Sequence, residues 1–447
     1  MFRQETIFHP GGAFVSIIAR KIEIDFTDEK ISASAGSVFL SAMASKMGLA
    51  DQIGSAIALK KRSRGASDVE MLLSLIYSLA QGDGAILDVD RLGADDARCT
   101  LLGLENVPNH RRLGEYLSRF DDKACERLLT VARLQASRVI GSVIEHEMQT
   151  KGYVPVFVDG TGIEVSGQYF EGAGKLYDGS IGYWLHAAFV GGLWVTQRLQ
   201  RGGGHPATEV RDILEETAIM LGDTSQVWAR FDNAYYRKEV VQFCKEHGWD
   251  YSISVTSNTY KRPLREMMEG FIEKDWEAIN DDGSEHAAFV YHRPGGWKQE
   301  QTYVVVRTMQ EDKQKLLFPR YTFILVSRND IPLAEIVRRH REKQGQENAL
   351  KGPLIHLDLH HPPCGLFNAN RAFYAAGQIA QILLIALQMN LLPKEARIHG
   401  IRTIIRDFVR VAGKLVCHAR RWKLLFAKSA LRLHWLSYAA DCLISTG

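Results

Sequence analysis

Cysteine is sparse and unpatterned in this 447-residue chain. The six residues (Cys99, Cys125, Cys244, Cys364, Cys417 and Cys442) form no CxxC pair and show no zinc-ligand spacing. That sets aside a zinc module and favours free thiols in a reducing compartment. No Walker loop, dinucleotide glycine fingerprint or Ser-His-Asp nucleophile context is present, which argues against a metabolic α/β enzyme. Residues 1–20 lack the basic start, apolar core and cleavage site of a secretory signal. The longest apolar stretch, Tyr374–Leu392, is interrupted by Gln378, Gln381 and Gln388, so it reads as a core helix and no membrane is expected. Charge of one sign is also missing: the formal net charge is only +3, and composition alone does not announce a nucleic-acid partner. A cytoplasmic protein is expected, with access to the chromosome in a bacterium.

What is present is core material, with 46% hydrophobic and 24% charged residues. The length suggests roughly two to four compact units. Apolar alternation at Lys21–Phe26 suggests a short strand or hairpin, and from Ser34 the period becomes helical. Helices are expected to end near Gly48, across Ser67–Gln81 with Asp68 as cap, and across Asp122–Gln149. Short helical pieces at Asp88–Leu92 and Ala94–Cys99 precede Pro108. A helix carrying Arg111 and Arg112 in its first turn follows, a layout resembling a helix-turn-helix. Lys60-Lys61-Arg62-Ser63-Arg64 reads either as a solvated loop or as a phosphate contact.

From Val154 the pattern is α/β. Val154-Pro-Val-Phe-Val-Asp-Gly-Thr161 reads as a buried strand delivering Asp159 at its C-terminal end, where a buried carboxylate calls for a positive partner such as a divalent metal. Tyr183–Val190 and Leu193–Leu199, joined by Gly191-Gly192, form a hairpin signal. A helix (Ala207–Leu221), a strand (Gln226–Phe231) ending on Asp232, a helix (Lys238–His247) and a strand (Tyr251–Val255) follow. This is the element order of an RNase H-like core. Strands at Ala287–His292, Thr302–Thr308 and Tyr321–Ser327 then break the rhythm, before a helix over Ala334–Lys351 that Pro353 disturbs or ends. The expected fold is thus α/β, an RNase H-like mixed-sheet core with a β-rich insertion and helical flanking regions. Its divisions are 1–150 (mainly helical, DNA-binding), 151–257 (core, first part), 258–330 (insertion), 331–393 (core, second part) and 394–447 (basic, helical). In the tail, Arg402, Arg406, Arg410 and Lys414 recur every fourth residue as one stripe. Arg420, Arg421, Lys423, Lys428 and Arg432 continue the charge, read either as a solvated face or as phosphate contacts.

Four stretches together resemble bacterial insertion-sequence transposases of the DDE type, the branch whose RNase H-like core is interrupted by a β-rich insertion. They are Val156–Val165, Gly182-Tyr-Trp-Leu-His186 with Leu199-Gln-Arg-Gly202, Arg230-Phe-Asp-Asn-Ala-Tyr-Tyr236, and His340-Arg-Glu-Lys-Gln-Gly-Gln-Glu-Asn348. The resemblance implies Asp159, Asp232 and Glu347 as catalytic and metal-binding acids, with Glu342 as the rival third acid. It implies two Mg²⁺ ions, with Mn²⁺ as substitute, in an in-line displacement. The family's phosphate-contacting positions around the glutamate are altered here. The matching upstream places hold His340 and Lys343, the downstream place holds Leu354, and Lys351 one turn after Glu347 is the substitute. The implied partners are double-stranded DNA, as terminal inverted repeats and target, and a second copy of the chain in a homodimer on DNA. Trp297 reads as a base-stacking residue or a packing one. His205 lines the site or has no role, and Glu164 and Asp178 read as surface acids. The competing functions are a decayed or repurposed DNA-binding protein and an RNase H-like nuclease without strand transfer.

Overall fold

The computed structural model describes residues 13–17, 20–61, 64–167, 169–204, 209–255, 258–311, 314–419 and 421–445. At the N-terminal end a hairpin, Ala13–Ile17 with Arg20–Ile24, precedes six helices between Ser37 and Leu117. The helix Asp68–Leu79 is capped by Ser67 rather than by Asp68. Ser67 Oγ accepts from Glu70 N at 3.1 Å while Glu70 Oε2 accepts from Ser67 N at 2.7 Å, a reciprocal capping box. Asp68 instead accepts the backbone N–H groups of Leu59 and Lys60, both at 3.3 Å. Helix α1 (Asp122–Lys151) starts where Asp121 accepts from Ala124 N and stops at Gly152, whose φ of +75° suits glycine.

The core strands are β1 (Val154–Glu164), β2 (Ile181–Val190), β3 (Leu193–Gln200), β4 (Val227–Phe231) and β5 (Asp250–Val255). They lie side by side as β3-β2-β1-β4-β5, with β2 antiparallel to both of its neighbours and β1, β4 and β5 parallel. This is the RNase H-like order expected from the sequence. Between β3 and β4 runs α2 (Val210–Leu221), and between β4 and β5 runs α3 (Lys238–Glu246).

The β-rich segment contributes β6 (Glu285–His292), β7 (Gln301–Glu311) and β8 (Gln314–Val326). β8 pairs with β5 from Phe323 to Val326, so the segment extends the core sheet edge to edge. One face of this extension is closed by α4 (Leu333–Arg341), whose Leu333, Ile336 and Val337 pack on Trp228, Val304, Val306 and Ile324.

The single helix expected over Ala334–Lys351 is two. The chain turns at Glu342, where ψ opens to 18°, and α5 (Lys343–His356) follows. Pro353 sits inside α5 instead of ending it; Leu357 N still bonds to Pro353 O at 3.0 Å, and Leu350 and Leu354 are buried.

Helix α6 (Phe367–Asn390) is long and apolar enough to cross a membrane, yet its apolar window is wholly buried within the fold. The glutamines that interrupt it have partners there. Gln378 Nε2 donates to Trp194 O, and Gln381 accepts from Trp194 N and donates to Gly192 O, which serves the irregular stretch of β3. Gln388 Nε2 donates to the carbonyls of Ala396 and His399. Gln381, bonded at both ends of its amide, costs little to bury.

The tail is helical at its end, Leu433–Ser445, but departs from the helical reading in its middle. After a short helical stretch over Ile401–Val409, β9 (Gly413–His418) and β10 (Arg421–Phe426) form an antiparallel hairpin, and β9 pairs with the two-residue strand Ile31–Ser32. The close approach accounts for the change: a Cβ on Gly413 would meet Ala35 Cβ at 2.5 Å. The spacing Arg402, Arg406, Arg410, Lys414 therefore does not run along one helix.

Candidate active site

The site begins with a difference in strand length. β1 and β4 run parallel, paired from Val154/Val227 to Val158/Phe231, and the ladder stops there. The next residue on each strand is an acid, Asp159 and Asp232. Neighbouring strands lie about 4.8 Å apart, so the two carboxylates leave the sheet side by side. Asp159 was expected at a strand end; it lies mid-strand, because β1 continues along β2 to Glu164 paired with Gly182. Asp232 leaves the strand at once: its Oδ1 accepts from Ala234 N at 2.9 Å and caps the 3₁₀ turn Asn233–Tyr235. Asp159 Oδ1 accepts from Gly160 N at 2.8 Å. Both acids are half-buried.

Below them lie two residues that the sequence reading passed over. His186 on β2 stands opposite Gly160 and is fully buried, with its Nδ1 3.3 Å from the Tyr235 hydroxyl. A Cβ on Gly160 would fall 2.8 Å from His186 Cε1, so only glycine lets the imidazole lie against β1. Burial drives the Tyr235 phenol well above its ordinary pKa, and the negative charges of Asp159 and Asp232 add to it. Tyr235 thus feels both acids and stays a neutral phenol. Its signal was present in the quoted stretch Arg230–Tyr236, and that of His186 in Gly182–His186.

Arg230, two residues before Asp232 on β4, is buried, and its Nε donates to His340 O at 3.3 Å. His340 Nε2 lies 3.1 Å from Ser254 Oγ on β5. With 6% of it exposed, His340 docks α4 on the sheet.

Glu342, the rival third acid, is engaged elsewhere. Tyr153 donates to its Oε1 at 2.6 Å, Arg338 Nη1 lies at 3.0 Å, and Lys151 Nζ is 3.6 Å from Oε2. Tyr153 immediately precedes β1, at the end of the strand away from Asp159's acid edge. The backbone of Glu347 lies in α5, while its side chain and that of Lys343 fall outside the described residues, as does His205. Lys351 is exposed and lines a cleft with Lys151, Phe157 and Glu342.

Trp297 is half-buried with its ring 5.8 Å from that of Tyr236, whose hydroxyl bonds to Tyr303 at 2.7 Å. It folds back onto the segment that follows Asp232. Arg111 and Arg112 are exposed, at the start of the helix His110–Leu117. That helix is separated from Asp96–Leu102 by residues 103–109, a longer link than a tight turn, and His110 is held by Asp90. Arg402 is exposed. The other cations of the stripe are matched by acids: Arg406 by Asp407 at 2.6 Å, Arg410 by Asp83, and Lys414 by Glu29 at 2.6 Å. Arg62 and Ser63 of the basic loop and Arg420 lie outside the described residues. Glu164 and Asp178 are exposed, as surface acids should be.

Among the described residues no group of three metal-ligand side chains assembles. The pair Asp159 and Asp232 suits a divalent cation that takes oxygen ligands, Mg²⁺ or Mn²⁺, and leaves room for further donors.

The family model described as "Transposase DDE domain group 1" matches residues 14–445. Among solved structures, the cryo-EM structure of a piggyBac transposase synaptic complex with hairpin DNA is similar, with a TM-score of 0.43 and 10% sequence identity. The alignment covers 92% of this chain and 80% of that one. No curated protein matches the sequence.

Proposed function

Because this chain belongs to the transposase DDE domain group 1 family, we propose that it is the cut-and-paste transposase of a bacterial insertion sequence, acting on double-stranded DNA. The observation that carries this reading is the placement of Asp159 and Asp232 on adjacent residues past the end of one parallel ladder. Asp159, Asp232 and Glu347 are the proposed ligands of two Mg²⁺ ions. Glu347 is preferred over Glu342 because the Glu342 carboxylate is already engaged by Tyr153, Arg338 and Lys151. Bound divalent ions would supply charge stabilisation for the attacking and leaving oxygens of the displacement.

The chain's own residues hold the acids in register. The β1–β2 ladder fixes Asp159, the 3₁₀ turn fixes Asp232, and His186 with Tyr235 supports both from below. In the first proposed step a water oxygen bonds to the phosphorus at the element end, and the bond to the 3′ oxygen breaks, leaving a 3′-hydroxyl. In the second, that hydroxyl oxygen bonds to a target phosphorus and displaces the target's own 3′ oxygen. Two ends need two sites, so a homodimer on DNA in the bacterial cytoplasm is part of the proposal.

The test is to incubate the protein and its Asp159→Asn variant with duplexes from the sequence flanking the gene, in Mg²⁺ and in Mn²⁺, and resolve the strands on a denaturing gel. Nicking at the element boundary that needs metal and Asp159 supports the reading. Binding without cleavage in either metal overturns it in favour of a repurposed DNA-binding protein. Cleavage without joined product leaves an RNase H-like nuclease.

A further inference from the structure

The tail hairpin is amphipathic in a way its residue order does not advertise. Its cross-strand partners are Lys414/Leu425, Val416/Lys423 and His418/Arg421 on one face, alternating with Gly413/Phe426, Leu415/Leu424 and Cys417/Trp422 on the other. In a strand pair, directly opposed residues share a face. The second face turns toward the protein at the base of the hairpin: Leu415 is buried, and the Phe426 ring stacks 6.4 Å from that of Phe39. The first face gathers Lys414, His418, Arg421 and Lys423, with no acid.

The base of the ribbon is tied into a sheet, and farther out Lys30 Nζ lies 5.4 Å from the Trp422 ring centroid. β9 borrows its neighbour at Ile31 and Ser32 through Gly413 and Lys414, and β10 forms the outer edge of this three-stranded sheet. Beyond that point Cys417, His418, Arg421, Trp422 and Lys423 are all exposed. Glu29 meets Lys414, whereas among the described residues neither Arg421 nor Lys423 has an acidic partner. The sequence adds none nearby, since no Asp or Glu occurs between 408 and 440.

We propose that the β9–β10 ribbon is a duplex-DNA docking element, its Lys414–His418–Arg421–Lys423 face set against phosphates along a groove. The inference rests on the transposase reading and names a surface that reading does not specify. From Lys414 to His418 the face spans about 14 Å at strand spacing. A duplex strand presents a phosphate about every 3.4 Å along its axis, and the major groove admits a two-stranded ribbon. Pairing of the exposed β10 edge with a second copy would bring like charges together, which disfavours that occupant.

The experiment uses the full chain and fluorescein-labelled duplexes, one of mixed sequence and one from the gene's flank, with affinity measured across a salt series. Arg421→Ala with Lys423→Ala should weaken both duplexes alike and lower the slope of log affinity against log salt by about 2, near 0.9 for each lost phosphate contact. The conservative pair Arg421→Lys with Lys423→Arg should restore the slope. An unchanged slope in a folded alanine variant, while the parent binds and cleaves, overturns the ribbon proposal and leaves the transposase reading standing. A parent that neither binds nor cleaves overturns both. A change of mass in solution with no change in DNA affinity overturns the proposal in favour of a contact between copies.

Discussion

Replacing Glu342 separates a structural acid from a catalytic one, because its partners are specified. The carboxylate accepts from the Tyr153 hydroxyl at 2.6 Å and meets Arg338 at 3.0 Å and Lys151 at 3.6 Å, with 19% of its side chain exposed. Tyr153 is 2% exposed, so Glu342→Ala strips a buried hydroxyl of its acceptor, which costs about 1–3 kcal/mol. The two ion pairs involve partners 52% and 34% exposed and add at most about 1 kcal/mol each. Glu342→Ala should therefore lose about 2–4 kcal/mol, read as a lowered urea midpoint. Glu342→Gln keeps an acceptor for Tyr153 and should lose about 2 kcal/mol or less. Both should keep metal-dependent nicking at temperatures where they remain folded, whereas Glu347→Gln should abolish nicking with an unchanged midpoint. Loss of nicking in a fully folded Glu342→Gln variant, with activity kept in Glu347→Gln, would falsify the assignment and make Glu342 the third acid.

Two further predictions follow from contacts around the core. Gly160→Ala drives a methyl to within 2.8 Å of the clamped His186 ring and should cost about 1–3 kcal/mol, with a loss of cleavage larger than the loss of folded protein. Wild-type stability and activity in that variant would show that the His186–Tyr235 support is not tight. Hydrogen bonds from Arg338 and then Arg339, against the opposing effect of burial, hold Glu335 down from 4.5 to about 2. A depressed carboxylate contributes stability above its unfolded pKa and loses it as pH falls through the folded one. Glu335→Gln should therefore flatten the stability profile between about pH 4.5 and 2, and identical profiles for variant and parent would refute the pairing.

How far the sequence reached depended on the range of the contact. The strand runs around Asp159 and Asp232, the Gly191-Gly192 hairpin and the interrupted helix through Gln378 were legible because each signal is a local period. The break at Glu342 was not, since the period of α4 continues into α5 and the turn is held by Tyr153, 189 residues away. The cationic stripe failed for the same reason. Glu29 and Asp83 meet Lys414 and Arg410 from 385 and 327 residues away, and nothing in the tail itself announces them. The four-residue spacing was real, but Gly413 enters a sheet with Ser32 and converts the last of those residues to a strand position. Even so, the alternation that revealed strands elsewhere was present in Arg421–Phe426. The regular basic spacing before it drew attention to a helix.

The unequal lengths of β1 and β4 account for what the acids can do. β1 has eleven residues and β4 five, so one edge of β1 loses its parallel neighbour after Val158 while the other edge stays paired with β2 to Glu164. Asp159 is consequently held in register by the β2 ladder on one side, while the parallel ladder on the other side has already ended. A β4 two residues longer would carry Asp232 into the ladder and fix its backbone beside β1. Instead the chain turns away at that point, and Asp232 spends one oxygen on Ala234 N to hold the turn. Strand length alone thus places the two acids side by side, each fixed by its own backbone, just past the end of the parallel ladder.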